Sequence, residues 1–268
     1  MLPSKTAPLH PVFLSNMVLC EEAKRLHALL TAHGIPCLFL KGIALLRFIY
    51  PLDKRPMVDV DVLVHPRDFH KTHLLLLTHG YTWKPWDSHP FTSAHIHERE
   101  YQSPLGVAVD LHHNLDLPLR WNIPIDVLFS HAVPMFEASP GMMRLCNEHM
   151  ILHAAIHALK DALASPKSLQ DMQHLMQHPN TSKNFLYEQA QLWKATHVLT
   201  LCLHLLTPST PLPAQLRLAL WIKKRWPSQK NTVLALWACV LQKKGSFVGT
   251  LARASLFRVL DFFWPKKR

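Results

Sequence analysis

The chain has 268 residues, 49% hydrophobic and 18% charged, enough apolar side chain for a sizeable core and the wrong composition for a disordered or low-complexity protein. A formal net charge of +11 favours anionic partners: a nucleoside triphosphate, a nucleic acid or an anionic membrane surface. No apolar run approaches the roughly 20 residues that span a bilayer, and Met1 to Pro11 lacks a signal-peptide layout, so a cytoplasmic protein is expected.

Residues 12–34 have a helical period, with Leu14, Val18, Ala23, Leu26, Leu29 and Leu30 recurring near one stripe and His33-Gly34 as the stop. Ile35-Pro36 leads into a short apolar strand over 37–40, and a helix is expected over 42–50. Pro51 to Pro56 is a loop that carries Arg55. Next comes Val58-Asp59-Val60-Asp61-Val62-Leu63-Val64, a β-branched run with two acids two residues apart. Side chains alternate along a strand, so Asp59 and Asp61 share a face opposite Val58, Val60, Val62 and Val64. Two such carboxylates repel and lose hydration if buried, and a divalent cation at the strand end would compensate them. An exposed strand-end Asp with the other acting as a cap is the plainer alternative.

Pro66 opens a helix through Phe69, Leu74, Leu75 and Leu77, stopped at His79-Gly80, and Tyr81 to Trp83 reads as a short strand. His95 to Tyr101 alternates, Ser103 to Gly106 is a turn, and Gly106 to His112 is a further apolar strand bearing Asp110, so these two strands are expected to form a hairpin. The order of Leu40-Lys41-Gly42-Ile43-Ala44-Leu45, Tyr50, Arg55, Asp59-Val60-Asp61-Val62-Leu63-Val64, Gly80-Tyr81 and Asp110-Leu111-His112 resembles the bacterial nucleotidyltransferases of the DNA polymerase beta-like superfamily. The likeness covers about residues 36 to 115 well and the following helices more loosely.

After Asn114 the character changes. Loop and a short helix are expected to about Gly141, then helices over 144–163, 168–178, 184–206, 214–225, 231–242 and 247–262, with Pro208, Pro211 and Pro213 as a break. The expected architecture is an α/β (α+β) nucleotidyltransferase domain with a mixed sheet over 1–135, followed by an all-helical domain over 136–268 with a basic C-terminus. Cys20, Cys37, Cys146, Cys202 and Cys239 form no C-x-x-C and sit in apolar contexts, as small core residues do. His149, His153 and His157 fall at i, i+4 and i+8 with Asp161 continuing the stripe, a spacing that suits either a transition metal or a polar helix face. Phe247 to Arg268 mixes aromatic and basic residues; it reads as a packed amphipathic helix with a basic tail, or as an RNA- or membrane-binding segment.

The resemblance implies a Mg²⁺- or Mn²⁺-dependent transferase that moves a nucleoside monophosphate from an NTP such as ATP to a hydroxyl or phosphate acceptor and releases pyrophosphate. Asp59, Asp61 and Asp110 are its implied catalytic and metal-binding acids. Lys41, Gly42, Arg55 and His112 are its implied nucleotide-side residues. The superfamily usually carries Gly-Gly-Ser or Gly-Ser where this chain has Lys41-Gly42; the narrower family carries Lys-Gly. From the residues alone, Lys41 is a phosphate contact or a solvated lysine, and Arg55 is a phosphate clamp or a surface partner of Asp53 or Asp68. His112 orients an acid, binds phosphate, touches the substrate or is structural. The acceptor is an RNA, a protein or a small molecule. The rival readings are a catalytically inactive binding module for nucleotide or RNA on the same fold, and a histidine-metal protein run by the helical region.

Overall fold

The computed structural model describes residues 10–84, 97–116, 121–136, 139–161, 163, 166–208 and 212–225. They fall into two compact units, Met1–Leu119 with Ile123–Cys146, and Arg120–Asn122 with Asn147–Arg268. The expected helices over 231–242 and 247–262, and the basic C-terminal segment, lie outside the described residues. Among those described, no helix is long and apolar enough to cross a membrane.

The first unit is a mixed sheet with helices. Its elements in order are α1 (Pro11–Ala32), β1 (Cys37–Phe39), α2 (Lys41–Leu45), β2 (Asp59–Val64), α3 (Pro66–Thr78), β3 (Thr82–Trp83), β4 (Glu98–Gln102), β5 (Ala108–His112), α4 (Ile125–Ser130), β6 (Val133–Phe136) and β7 (Ser139–Arg144). The strands form one sheet in the order β3-β4-β5-β2-β1-β7-β6. The β-branched run becomes the central strand β2, with Val60, Val62, Leu63 and Val64 fully buried. Val58 lies just outside it and is 78% exposed, so only Val60, Val62 and Val64 form the apolar face opposite the acids. β2 runs antiparallel to β1 and parallel to β5, and β4 and β5 form the expected antiparallel hairpin.

Three expectations change. The stretch before Gly141 is not loop throughout: β6 and β7 form a hairpin, and β7 adds in parallel to β1. Pro134 reads as a breaker, but it lies on β6, the edge strand, where proline costs no ladder bond. The helix expected over 42–50 ends at Leu45, because Arg47 adopts φ 62° and its N–H bonds Tyr50 O at 2.7 Å. The helix expected over 184–206 is two, broken where Lys194 takes φ 59°.

The helical unit contains α5 (Asn147–Lys160), α6 (Pro166–Gln177), α7 (Lys183–Leu192), α8 (Thr196–Leu206) and α9 (Ala214–Arg225). Leu152, Ile156, Leu159, Leu175, Trp193 and Leu199 fill its core. Ser182 caps α7 by accepting from Phe185 N–H, while its own N–H donates to the Glu148 carboxylate at 2.5 Å. Cys20, Cys37, Cys146 and Cys202 are buried, as expected of small core residues; Cys239 lies outside the described residues.

One buried polar side chain organises the loop before β2. Asn16 on α1 donates from Nδ2 to Leu52 O at 2.7 Å and to Arg55 O at 2.9 Å. Asn16→Ala would strand two carbonyls. We expect a loss of about 1–3 kcal/mol, read as a lower urea midpoint with an unchanged slope.

Candidate functional site

Parallel pairing of β2 with β5 sets Asp61 directly beside Asp110, with Asp59 opposite Ala108 and Leu63 opposite His112. Asp59, Asp61, Asp110 and His112 therefore share one face of the sheet. Asp61 is 2% exposed and His112 1%, so a carboxylate sits inside the fold and requires partners. It has two. Lys41 Nζ lies 2.6 Å from Asp61 Oδ1, and His112 Nε2 lies 3.0 Å from the same oxygen. Asp61, Asp110 and His112 each offer a ligand atom within 4.8 Å of the others.

The backbone is shaped to deliver Lys41. It follows β1 directly, and Leu40 N–H bonds Asp61 O at 3.0 Å, so the turn starts in register with the acid. Lys41, rather than Gly42, takes the left-handed conformation, at φ 47°. That is an uncommon state for a residue with a side chain, held here by the buried ion pair. Gly42 is needed for space. A Cβ there would collide with Arg55 Nη1 and would lie 2.6 Å from Met57 Sδ. The Lys-Gly pair thus combines a residue that reaches Asp61 with one that lets Arg55 approach.

Lys41 is not the solvated strand-end lysine that one reading of the sequence allows. The side chain is part-buried and its ammonium is paired with Asp61. Arg55 likewise does not pair with Asp53 or Asp68, which contact Lys54 and Arg67. Its guanidinium lies 5.9 Å from the Tyr50 ring centroid and is close enough to Asp59 to favour that carboxylate's charge.

The three acids differ electrically. Burial works to raise the Asp61 pKa, but the Lys41 charge and the His112 hydrogen bond overcome it and hold the carboxyl well below the usual range. Burial, then the Asp61 charge, pushes Asp110 up to about 7, with Lys41 offsetting only part. The same two causes raise Asp59. Burial lowers His112, opposed by its bond to Asp61. The site therefore holds one carboxylate with two partners on a single oxygen, flanked by two that are under-compensated. An all-oxygen pair with surplus negative charge fits a hard divalent cation.

Sequence reasoning missed Glu98 and His97. In the β4–β5 register Glu98 faces His112, and Glu98 Oε2 lies 3.3 Å from both His97 Nε2 and His112 Nδ1. The alternation of residues 95–101 was the only signal available. The histidine stripe on α5 separates instead of converging. His149 Nε2 bonds Gln189 Oε1 at 3.0 Å and stacks on Trp193, while His157 faces Asp161 at 3.3 Å. Among the described residues, the groups of three close ligand atoms do not include this stripe.

A family model described as "Uncharacterised nucleotidyltransferase" matches residues 11–208. No curated protein matches the chain. Among solved structures, similarity is found to the solution structure of the antibiotic-resistance factor ANT(2'')-Ia, at 9% identity and TM-score 0.44, covering 60% of this chain and 83% of that one. The crystal structure of ANT(2'')-Ia in complex with adenylyl-2''-tobramycin is similar at 8% identity and TM-score 0.44, covering 69% and 97%.

Two outcomes follow from the electrostatics. Lys41→Met leaves Asp61 buried with its main counter-charge gone, and should cost about 3–5 kcal/mol in chemical denaturation. Burial and the Asp61 charge push the Asp110 carboxyl up from its ordinary range to about 7 in the folded protein. Its ionisation therefore opposes folding: the penalty is absent below about pH 4, grows as pH rises from 4 to 7, and is complete above 7. Asp110→Asn should stabilise the metal-free protein by about 1–3 kcal/mol at pH 8. That gain should shrink towards zero by about pH 4, as read by thermal unfolding across pH.

Proposed function

This chain belongs to the uncharacterised nucleotidyltransferase family, and on that premise we propose that it transfers a nucleoside monophosphate from an NTP to a hydroxyl or phosphate acceptor, with Mg²⁺ or Mn²⁺, releasing pyrophosphate. The observation that carries this reading is the register that sets Asp61 beside Asp110 while Lys41 and His112 both partner Asp61. Asp59 and Asp110 are left with charge that a divalent cation would compensate.

In this reading Asp59, Asp61 and Asp110 hold the metal, which when bound withdraws charge from the triphosphate and acidifies the acceptor hydroxyl. The chain's own residues do the rest. The acceptor oxygen attacks the α-phosphorus, the bond from that phosphorus to the β-phosphate oxygen breaks, and pyrophosphate leaves. A hydroxyl acceptor gives its proton to the Asp110 carboxylate. Lys41 and His112 are positioning residues: they fix the Asp61 carboxylate so that its remaining oxygen has one orientation. Arg55, brought over Gly42, is the phosphate clamp, its planar fork suited to two phosphate oxygens. An RNA, a protein or a small molecule remains the acceptor class, and the excess of basic residues suits a polyanion.

The test is binding of the four NTPs with Mg²⁺ or Mn²⁺ by thermal shift, followed by transfer from α-labelled nucleotide onto an acceptor panel. At least one NTP should raise the melting temperature in a metal-dependent way, and Asp59→Asn/Asp61→Asn should abolish the shift. Asp110→Asn should lower transfer at least about a hundredfold while leaving the protein folded. Absence of a shift with every NTP would overturn this reading in favour of a catalytically inactive binding module.

A further inference from the structure

His112 has two working sides. Its Nε2 serves Asp61, and its Nδ1 faces Glu98 Oε2 at 3.3 Å without a hydrogen-bond partner. His97 Nε2 lies 3.3 Å from that same Glu98 oxygen, and His97 Nδ1 is also buried without a hydrogen-bond partner. Both imidazoles are more than nine-tenths buried, at 6% and 1% exposed. The three side chains each supply a ligand atom within 4.8 Å of the other two.

The geometry of the cluster departs from that of a hydrogen-bonded pair. The Asp61 carboxylate only accepts, so His112 Nε2 must carry the hydrogen of that bond. At 3.3 Å from Glu98 Oε2, His112 Nδ1 still has no hydrogen-bond partner, so the carboxylate oxygen lies off the nitrogen's axis, as a second ligand of an ion on that axis would. The spacing favours a cation. A tetrahedral ion with Zn–N and Zn–O bonds of about 2.0–2.1 Å holds its ligand atoms about 3.3–3.4 Å apart. Both nitrogens keep that distance from Glu98 Oε2. The donor set of two imidazoles and one carboxylate suits Zn²⁺ or a similar transition metal and does not suit Mg²⁺, which prefers oxygen.

We infer that His97, Glu98 and His112 form a binding site for a Zn²⁺-class ion, distinct from the three-acid cluster and joined to it through His112. Metal on Nδ1 fixes the His112 tautomer with Nε2–H toward Asp61. The ion therefore acts as a positioning element for the central acid, without contacting the acid itself.

The probe is Co²⁺, titrated into the full-length, metal-free protein and read by its visible d–d absorption, a signal that needs no nucleotide and so stands or falls apart from the transferase reading. One equivalent should give a four-coordinate spectrum that excess Mg²⁺ does not displace. The spectrum should persist in Asp59→Asn/Asp110→Asn, disappear in His97→Gln, and require at least about tenfold more Co²⁺ in Glu98→Gln. Circular dichroism and thermal unfolding check that the variants fold. A spectrum that survives His97→Gln, one that vanishes in Asp59→Asn/Asp110→Asn, or none in the wild type would overturn the site. If His97→Gln does not fold, X-ray absorption of the Zn²⁺-loaded wild type decides. Two imidazoles with carboxylate oxygen support the site; an oxygen-only shell, or three or more imidazoles, overturns it.

Discussion

A buried carboxylate, Asp61, is the constraint on which the acidic face of the sheet depends. It sits on a central strand with almost no exposure, and a bare charge there would cost several kcal/mol. Two partners from different elements compensate it, Lys41 from the start of α2 and His112 from the end of β5. Supplying Lys41 has consequences in the backbone. The residue adopts a left-handed φ, the next residue must lack a Cβ, and the space so created admits Arg55 and Met57. Asn16 then holds the loop that carries Arg55. A chain of local features from α1 to β5 thus traces back to one charge.

The same compensation creates an inequality. Lys41 is the near cation, and Asp61 takes it. Asp110, its neighbour across the strand pair, is raised by burial and by the charge of Asp61, and Asp59 is raised for the same reasons. A site built this way is prepared for a ligand of positive charge, because the protein has left two carboxylates for it to satisfy. The nucleotidyltransferase family assignment and this inequality are independent, since one rests on the sequence match and the other on geometry.

Much of this was legible before the fold was known. The alternation of Asp59 and Asp61 with valines marks a strand with both acids on one face, and the later Asp110 strand follows in order. What the sequence did not disclose was pairing. That Lys41 meets Asp61 depends on β1 running antiparallel beside β2, which no local pattern encodes. The β6–β7 hairpin was hidden in part by Pro134, a breaker that an edge strand tolerates. The break between α7 and α8 was hidden for the opposite reason: Thr196 to Leu206 continues an apolar pattern, and the interruption is a backbone conformation at Lys194 rather than a Gly or Pro. Glu98 was invisible as a site residue because its neighbour His112 is fourteen positions away and is met only through the hairpin register.

That register deserves a physical account, since side-chain period two means that a slip of one residue would turn Glu98 to the other face. It is set at the far end of the hairpin. Ser103 N–H bonds Val107 O at 2.8 Å, and Ser103 Oγ accepts from Val107 N–H at 3.1 Å and from Leu105 N–H at 3.3 Å. Gly106 closes the turn at φ 79°, which a residue with a side chain reaches only with strain. The turn therefore counts residues for both strands. From it the pairs follow in order, Gln102 with Ala108, Glu100 with Asp110, Glu98 with His112. The placement of a carboxylate against the second nitrogen of His112 is decided several residues away, by a serine hydroxyl and a glycine that touch neither.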